Sequence, residues 1–442
     1  MGYFARPITP IVLCTVACST IVYSLVKYVS YLMTPSPKML EKCWNPDKES
    51  TEENTPNSIT SFNINFPSEL VEDLKIRLKN TRRCDNYDTN NGMQKLLDYW
   101  ADSYNFQRRE KYINNYEHFK TNIQGLDIHY VHVKPKLYGE KQVLPLLMLH
   151  GWPSSIIEFY KIIPLLTSSI REYDFVFEVV VPSIPGFGFS SAPTISDALS
   201  CTHMSVILKN LMLRLGHNKF YIQDSDWGVF ISRVMASLFP EHVLGTHSNV
   251  RALLDKKFTE PSSSYLTEIM KQVTLSNKLL ADTEYFQIHA IKPETIGVGL
   301  NDSPAALATY IMEKFLIGTK YSEINDEFLR TYSYNDLIDN LMIYWTSKSI
   351  TTAMRIYAQQ FGELKSEPFK ELMILGDVKV PSYFSAFLSK VPRCSVLNRQ
   401  MQKEIVLAVY ANSNNRFPAL EEPKLLAENI WMKIDTWYKH FK

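Results

Sequence analysis

Apolar strand-like runs alternating with helical stretches predict an α/β fold, a mostly parallel sheet whose chain is interrupted by a long helical block. Three observations carry that expectation. The segments IHYVHV (128–133), VLPLLMLH (143–150), FEVVVPSIPG (177–186) and KFYIQD (219–224) read as strands, and the second is a continuous apolar run suited to a strand buried on both faces. Between the last two, SVILKNLMLRLG (205–216) repeats with helical spacing, as a right-handed crossover connection requires. From about 250 to 370 the pattern is helix-rich, after which MILG, VKVPSYF and EIVLAVY resume short strands, so the helices interrupt the sheet domain and are expected over its strand ends as a lid.

Ahead of the sheet, residues 8–26 form an apolar stretch that includes IVLCTVACSTIVYSLV, without an acidic residue and just long enough to span a bilayer. A cleaved signal peptide is the competing reading, but no clear small-x-small site precedes a polar start, so an uncleaved transmembrane helix is expected. Arg6 precedes the span while Lys27, Lys38 and Lys42 follow it, which biases the C-terminal bulk toward the cytosol. Residues 34–60 mix Pro, Ser, Asn and charge and read as a linker. SELVEDLKIRLK then spaces Leu70, Leu74 and Leu78 along one helix face, with Ser68 as candidate N-cap, and more helix is expected from Met93 to Asp102.

Composition narrows the function classes. The 442 residues are 45% hydrophobic and 21% charged, enough for a large core and an accessory domain. The net charge of +1, from 47 basic and 46 acidic residues, gives no reason to expect nucleic acid. An aromatic content of 12% fits an apolar ligand cavity and a plain aromatic-rich core equally well. The cysteines at 14, 18, 43, 84, 201 and 394 lack zinc-site spacing and are too sparse for a disulfide scaffold, so they read as reduced thiols. No metal or cofactor is expected, because there is no Gly-rich phosphate loop and no His or Cys pair at ligand spacing.

Two strand ends carry chemistry. In LMLHGWPSS (147–155), Gly151 permits close backbone approach and the amide of Trp152 is a candidate oxyanion donor; Trp152-Pro153 is a candidate cis bond. In QDSDWG (223–228), a strand turns sharply into the apolar helix VFISRVMASLF, the setting of a nucleophile elbow. Asp226 occupies the nucleophile position there, with the amide of Trp227 as second oxyanion donor. Either segment, alone, is compatible with an ordinary strand-to-helix turn.

Taken in order, HGWP, PSIPGFGFSSAP (182–193), DWG, HSN (247–249) and KPETIGVGLNDSPAALATYIMEKF (292–315) resemble the microsomal epoxide hydrolase and juvenile hormone epoxide hydrolase family. The resemblance runs from about residue 62 nearly to the C-terminus and includes RLKNTRRCDN and WADSYNFQRREKYINNYEHFKTNIQGLDIHYVHVK. It implies an α/β-hydrolase fold and a division into membrane anchor (1–33), linker (34–60), epoxide-hydrolase-type N-terminal region (61–140), first core part (141–250), helical lid (251–370) and second core part (371–442). It also implies attack of Asp226 on an epoxide carbon to form an ester, with Tyr285 and Tyr357 donating hydrogen bonds to the epoxide oxygen. A lipophilic epoxide, xenobiotic or juvenile-hormone-like, is the implied ligand, and the endoplasmic reticulum membrane the implied location.

The chain departs from that family at three positions. Where the family has its acid, beyond an F-S-A-F-P stretch, FSAFLSKVP aligns Lys390; where it has histidine in G-G-H-F, ANSNNRFPALEEP aligns Arg416. No histidine lies between His289 and His440, and the acidic Asp377 and Glu404 have no histidine to orient. Asp224 with Ser225 replaces Gly-Gly before the nucleophile position; if both carboxylates point inward, like-charge repulsion between Asp224 and Asp226 would raise one pKa, and Lys390 or Arg416 would offset it by pairing with either. An ion pair of Asp226 with Arg416 would hold the fold while silencing the site. Hydrolytic turnover is therefore expected to be impaired, against two alternatives: an active enzyme with another water-activating residue, and a ligand-binding or scaffold protein without catalysis.

Overall fold

A computed structural model describes residues 58–82, 91–136, 139–192, 200–249, 277–317, 319, 321–363, 378, 380–387, 405–410 and 416–441. Nine strands among them form one sheet: β1 (Ile59–Phe62), β2 (His118–Ile123), β3 (Leu126–Val133), β4 (Gln142–Leu149), β5 (Phe175–Pro182), β6 (Phe220–Ser225), β7 (Val243–Asn249), β8 (Ser382–Phe387) and β9 (Ile405–Tyr410), in the order β1-β2-β3-β5-β4-β6-β7-β8-β9. From β5 across to β9 all neighbours are parallel, whereas β1, β2 and β3 form an antiparallel meander that joins β5 by its antiparallel edge. Gln124 and Gly125, with φ of 51° and 85°, make the two-residue turn between β2 and β3.

The central strands are apolar because both of their faces are covered. β6 is buried at every residue and β5 at all but Glu178. Crossover helices supply the cover: α5 (Cys201–Arg214) precedes β6, and α6 (Trp227–Leu238) follows it without a linker. Earlier in the chain lie α1 (Ser68–Lys79), α2 (Asn91–Asp98), α3 (Phe106–Ile113) and α4 (Ile163–Thr167), and the chain ends in α13 (Pro418–Glu421) and α14 (Pro423–Phe441).

Six helices stand between β7 and β8 among the described residues: α7 (Asn277–Ile291), α8 (Pro293–Asp302), α9 (Pro304–Ile317), α10 (Asp326–Thr331), α11 (Tyr334–Ser347) and α12 (Ile350–Glu363). Helix α11 grips the turn after β4. Its Tyr344 hydroxyl donates to Ser154 O at 2.8 Å, Asn340 Nδ2 donates to Pro153 O at 2.8 Å, and Ser155 Oγ donates to Asn340 Oδ1 at 2.7 Å. The N-terminal region is tied to the same helix, where the Tyr104 hydroxyl and Arg109 both bond the buried Asp339.

Three expectations need correction or restriction. Ser68 is the first helical residue rather than the N-cap: extended Pro67 stands before it and no side chain caps the helix. The helix expected over 93–102 changes character after Asp98, where Tyr99–Ser103 widens into a π-helical turn. The linker expected over 34–60 ends earlier, since Ile59 and Thr60 already pair with β2. No helix of the described residues is long and apolar enough to cross a membrane, and the 8–26 span lies outside them, as do Asp377, Lys390 and Glu404.

Candidate active site

The site follows from the register of two neighbouring strands. β4 and β6 are parallel with Leu149 opposite Asp224, so the turn after β4 lies beside the elbow after β6. Asp226 adopts φ 48° and ψ −118°, a strained turn for a non-glycine residue, and α6 starts at the next residue. Both neighbours must be small. A Cβ on Gly151 would come within 2.3 Å of Asp226 Cβ, and one on Gly228 within 2.5 Å of Leu149 O.

Two backbone amides converge on one oxygen of Asp226. Asp226 Oδ1 accepts from Trp152 N at 3.0 Å and from Trp227 N at 2.9 Å, and the Trp152-Pro153 peptide is cis. Asp226 keeps 34% of its side-chain surface accessible, yet burial is the largest influence on its carboxyl and pushes its pKa up, opposed by Arg416 and the two amides.

Tyr285 from α7 and Tyr357 from α12 pack on the two tryptophans whose amides hold Asp226. The Tyr285 ring stacks on Trp152 at 5.1 Å, and Tyr357 meets Trp227 edge-on at 4.8 Å. Burial raises both phenol pKa values, so each stays protonated at neutral pH and is a competent hydrogen-bond donor.

Arg416, just after β9, reaches the same place. Its Nη1 donates to Lys314 O at 2.7 Å, its Nη2 donates to Trp152 O at 3.4 Å, and Nη2 lies 3.8 Å from Asp226 Oδ2. Burial opposes its charge, but Tyr285 and Asp226 carry its pKa above the usual guanidinium value. It holds its proton at every working pH and cannot act as a base.

Asp224 corrects the expected like-charge conflict. It is fully buried below the elbow, where Ser232 on α6 donates to its Oδ2 and Ser248 on β7 also bonds it. Its pKa is pushed up to about 7 by burial, and Asp226 is not among the causes.

Several residues of the site carried no motif. Glu158, on the 3-10 turn Ile156–Phe159, is 1% exposed and accepts from Ser154 Oγ and, at 2.9 Å, from Ser225 Oγ. Burial pushes its pKa up to about 7. An acid inside the apolar stretch IIEFY was the available signal. Lys314, also buried, lies 5.1 Å above the Tyr285 ring and 5.0 Å above Tyr310.

Two histidines approach, and neither resembles a base. His289 packs its ring 4.8 Å from Trp152 and 4.7 Å from Tyr357, but burial pushes its pKa down to about 3. His150 accepts from Ile184 N at 3.3 Å through Nε2, which leaves Nδ1 to donate to Gly151 O at 3.1 Å.

Away from the site, His132, Glu178 and His217 bring three possible ligand atoms within 4.8 Å of one another. His132 Nε2 and Glu178 Oε1 are 2.6 Å apart. Tetrahedral ligands at zinc bond lengths sit about 3.3 Å apart, so this spacing is that of a hydrogen bond.

A parallel sheet with an acid elbow after β6, paired oxyanion amides and helices inserted after β7 defines an α/β-hydrolase with a carboxylate nucleophile position. Known proteins narrow this. The chain matches the alpha/beta hydrolase fold family over residues 145–273 and the Epoxide hydrolase N terminus family over residues 59–159. It is 39% identical over 437 residues to juvenile hormone epoxide hydrolase 1 of Ctenocephalides felis, covering 92% of this chain and 91% of that protein. With epoxide hydrolase 1 of Oryctolagus cuniculus it shares 37% identity over 84% of this chain and 88% of the relative. The crystal structure of juvenile hormone epoxide hydrolase from the silkworm Bombyx mori superposes with a TM-score of 0.79 at 34% identity, covering 91% of this chain and all of that one. The chain belongs to the epoxide hydrolase family, of the juvenile hormone and microsomal type.

Proposed function

We propose that this protein takes up a lipophilic epoxide at Asp226 and is alkylated there, but releases the resulting ester poorly. The observation that carries the reading is the guanidinium of Arg416, 3.8 Å from Asp226 Oδ2, on the chain segment aligned with the family's histidine.

Asp226 Oδ2 attacks an epoxide carbon and a carbon–oxygen bond of the ring breaks. The freed oxygen takes a proton from Tyr285 or Tyr357, both held neutral by burial. The Trp152 and Trp227 amides hold Oδ1 throughout. Hydrolysis of the ester then needs a group that removes a proton from water. Arg416 cannot, and Lys390, aligned with the acid, cannot orient a base electrostatically as a carboxylate does. The names of the juvenile hormone epoxide hydrolases among the relatives favour a juvenile-hormone-like epoxide, with a xenobiotic epoxide as the other substrate class.

The helices α7 to α12 act as the lid in this reading, within a lid region at 251–370 between core parts at 141–250 and 371–442; the anchor spans 1–33 and the linker that follows it ends before β1. The apolar span at 8–26 anchors the chain in the endoplasmic reticulum membrane with its bulk in the cytosol. Protease protection of sealed microsomes tests that orientation: digestion of the bulk without detergent is the expected result, and full protection overturns it.

Intact-protein mass spectrometry after mixing with a stoichiometric lipophilic epoxide, beside a diol assay, tests the chemistry. A stable adduct on Asp226 with little diol is expected. Diol in large excess over protein overturns the impaired-turnover reading, and absence of both adduct and binding favours a scaffold.

A further inference from the structure

We infer that Glu158 is a positioning residue that clamps the two oxyanion turns to each other through Ser154 and Ser225. The inference rests on the alkylation reading above for its kinetic consequence, but its geometry stands apart from it.

The amides that hold Asp226 Oδ1 come from different segments, Trp152 from the turn after β4 and Trp227 from the start of α6. Nothing in the chain connectivity fixes their separation, since Trp152 and Asp226 are 74 positions apart. Glu158 spans that gap. Its Oε1 accepts from Ser225 Oγ at 2.9 Å, and Ser225 immediately precedes the nucleophile. Its Oε2 accepts from Ser154 Oγ, whose residue is two beyond Trp152 and whose oxygen receives the Gly151 N–H at 3.4 Å.

The residue type fits this task. A carboxylate offers acceptors in both directions, so one side chain takes two hydroxyl donors, whereas a carboxamide has a single acceptor oxygen. At 1% exposure an unpaired charge would be strongly disfavoured, and the two hydroxyls supply the partners that make it tolerable. The 3-10 turn that carries Glu158 is itself fixed, with Ile156, Ile157 and Phe159 all buried.

The clamp is therefore sensitive to protons. Burial pushes the Glu158 pKa up to about 7, the serines and Arg416 pull it down, and Asp226 raises it. The titratable groups facing this turn from other elements include Tyr344 of α11, donating to Ser154 O at 2.8 Å, His150, bonded to Gly151 O at 3.1 Å, and Tyr285 and His289, packed on Trp152, while Asp224 bonds Ser232 and Ser248 below the elbow. Above about pH 7 both serines donate to a carboxylate. Below it, one oxygen carries a proton, and one serine loses its acceptor.

Hydrogen–deuterium exchange of peptides covering 150–158 and 225–230, together with single-turnover alkylation by cis-stilbene oxide, tests the clamp in Glu158→Gln and in the double variant Ser154→Ala with Ser225→Ala. Both variants are expected to exchange faster in both peptides. The alkylation rate constant should fall about tenfold with the dissociation constant for the epoxide unchanged. In Glu158→Gln the change in rate through about pH 7 should disappear. Unchanged exchange overturns the inference, as does faster exchange accompanied by the original rate and pH profile. If the unaltered protein forms no adduct, the proposed function fails and exchange alone decides the clamp. Should the double serine variant not fold, the near-isosteric Glu158→Gln and its conservative partner Glu158→Asp carry the test.

Discussion

The two halves of the proposed reaction rest on different groups around Asp226: two backbone amides at 2.9 and 3.0 Å with two buried tyrosines for alkylation, and, where hydrolysis needs a base, a guanidinium at 3.8 Å. The difference reflects how each is built: the amides are backbone groups placed by sheet register and turn geometry and held by several contacts, the proposed Glu158 clamp among them, whereas a base is one side chain and is lost in one substitution. A site of this kind loses its second half-reaction more readily than its first.

The largest effect expected on the retained side comes from Asp226→Asn. A carboxamide has no anionic oxygen to attack carbon, so adduct formation measured by intact mass should fall by on the order of a thousandfold or more. An undiminished adduct would move the nucleophile elsewhere and dissolve the comparison.

On the other side, Arg416→His combined with Lys390→Glu should restore a base and an acid to orient it. Diol release should rise by on the order of a hundredfold, and Arg416→His alone should recover less, because an unoriented imidazole is a poor base. The readout is diol formed per protein; a count that stays at or below one in the double variant removes Arg416 and Lys390 as the cause.

Smaller effects are expected from the donors. Tyr285→Phe and Tyr357→Phe should each slow alkylation about tenfold without loosening epoxide binding, since the hydrogen bond strengthens as the alkoxide forms. If either variant changes only the binding constant, that tyrosine shapes the binding site and does not donate.

The smallest effect concerns stability. Asp224 has its pKa raised from 3.8 to about 7 in the folded protein, so the native state holds its proton more tightly than the unfolded chain does. Its stabilising contribution is fully present below 3.8 and is lost as pH rises through about 7. Asp224→Asn should therefore raise Tm more at pH 8 than at pH 5, by roughly 3 °C or more. An equal change at both pH values would mean that Asp224 titrates normally.

Much of the fold was legible because its central strands have no solvent face. VLPLLMLH is a continuous apolar run for that reason and FEVVVP is one but for Glu178, and their limits in the structure differ from the expected ones by only a few residues. The elbow and the HGWP turn were legible because strained turns restrict which residues fit. Glu158, Lys314 and His289 were not, since their importance comes from neighbours far away in the chain: Ser225 for Glu158, Tyr285 for Lys314 and Trp152 for His289. Asp224 was visible as a departure, but its direction was not, because Ser232 and Ser248 acquire meaning only once α6 and β7 are packed. Ser68 was misassigned because a serine before an amphipathic run looks like a cap even when the preceding proline already holds the cap position.

The two oxygens of Asp226 are not interchangeable. With Oδ1 engaged by both amides, Oδ2 is the atom left to make the bond to carbon, and rotation about the carboxyl axis would break both contacts. The site therefore keeps an isotopic memory. If Asp226 carries heavy oxygen, the label that enters the product on ester cleavage comes from Oδ2, and the atom delivered by water remains behind in the protein. If ester release is slow, as proposed, label in the first diol formed shows that a carboxylate oxygen attacked and water did not, long before steady turnover can blur the record.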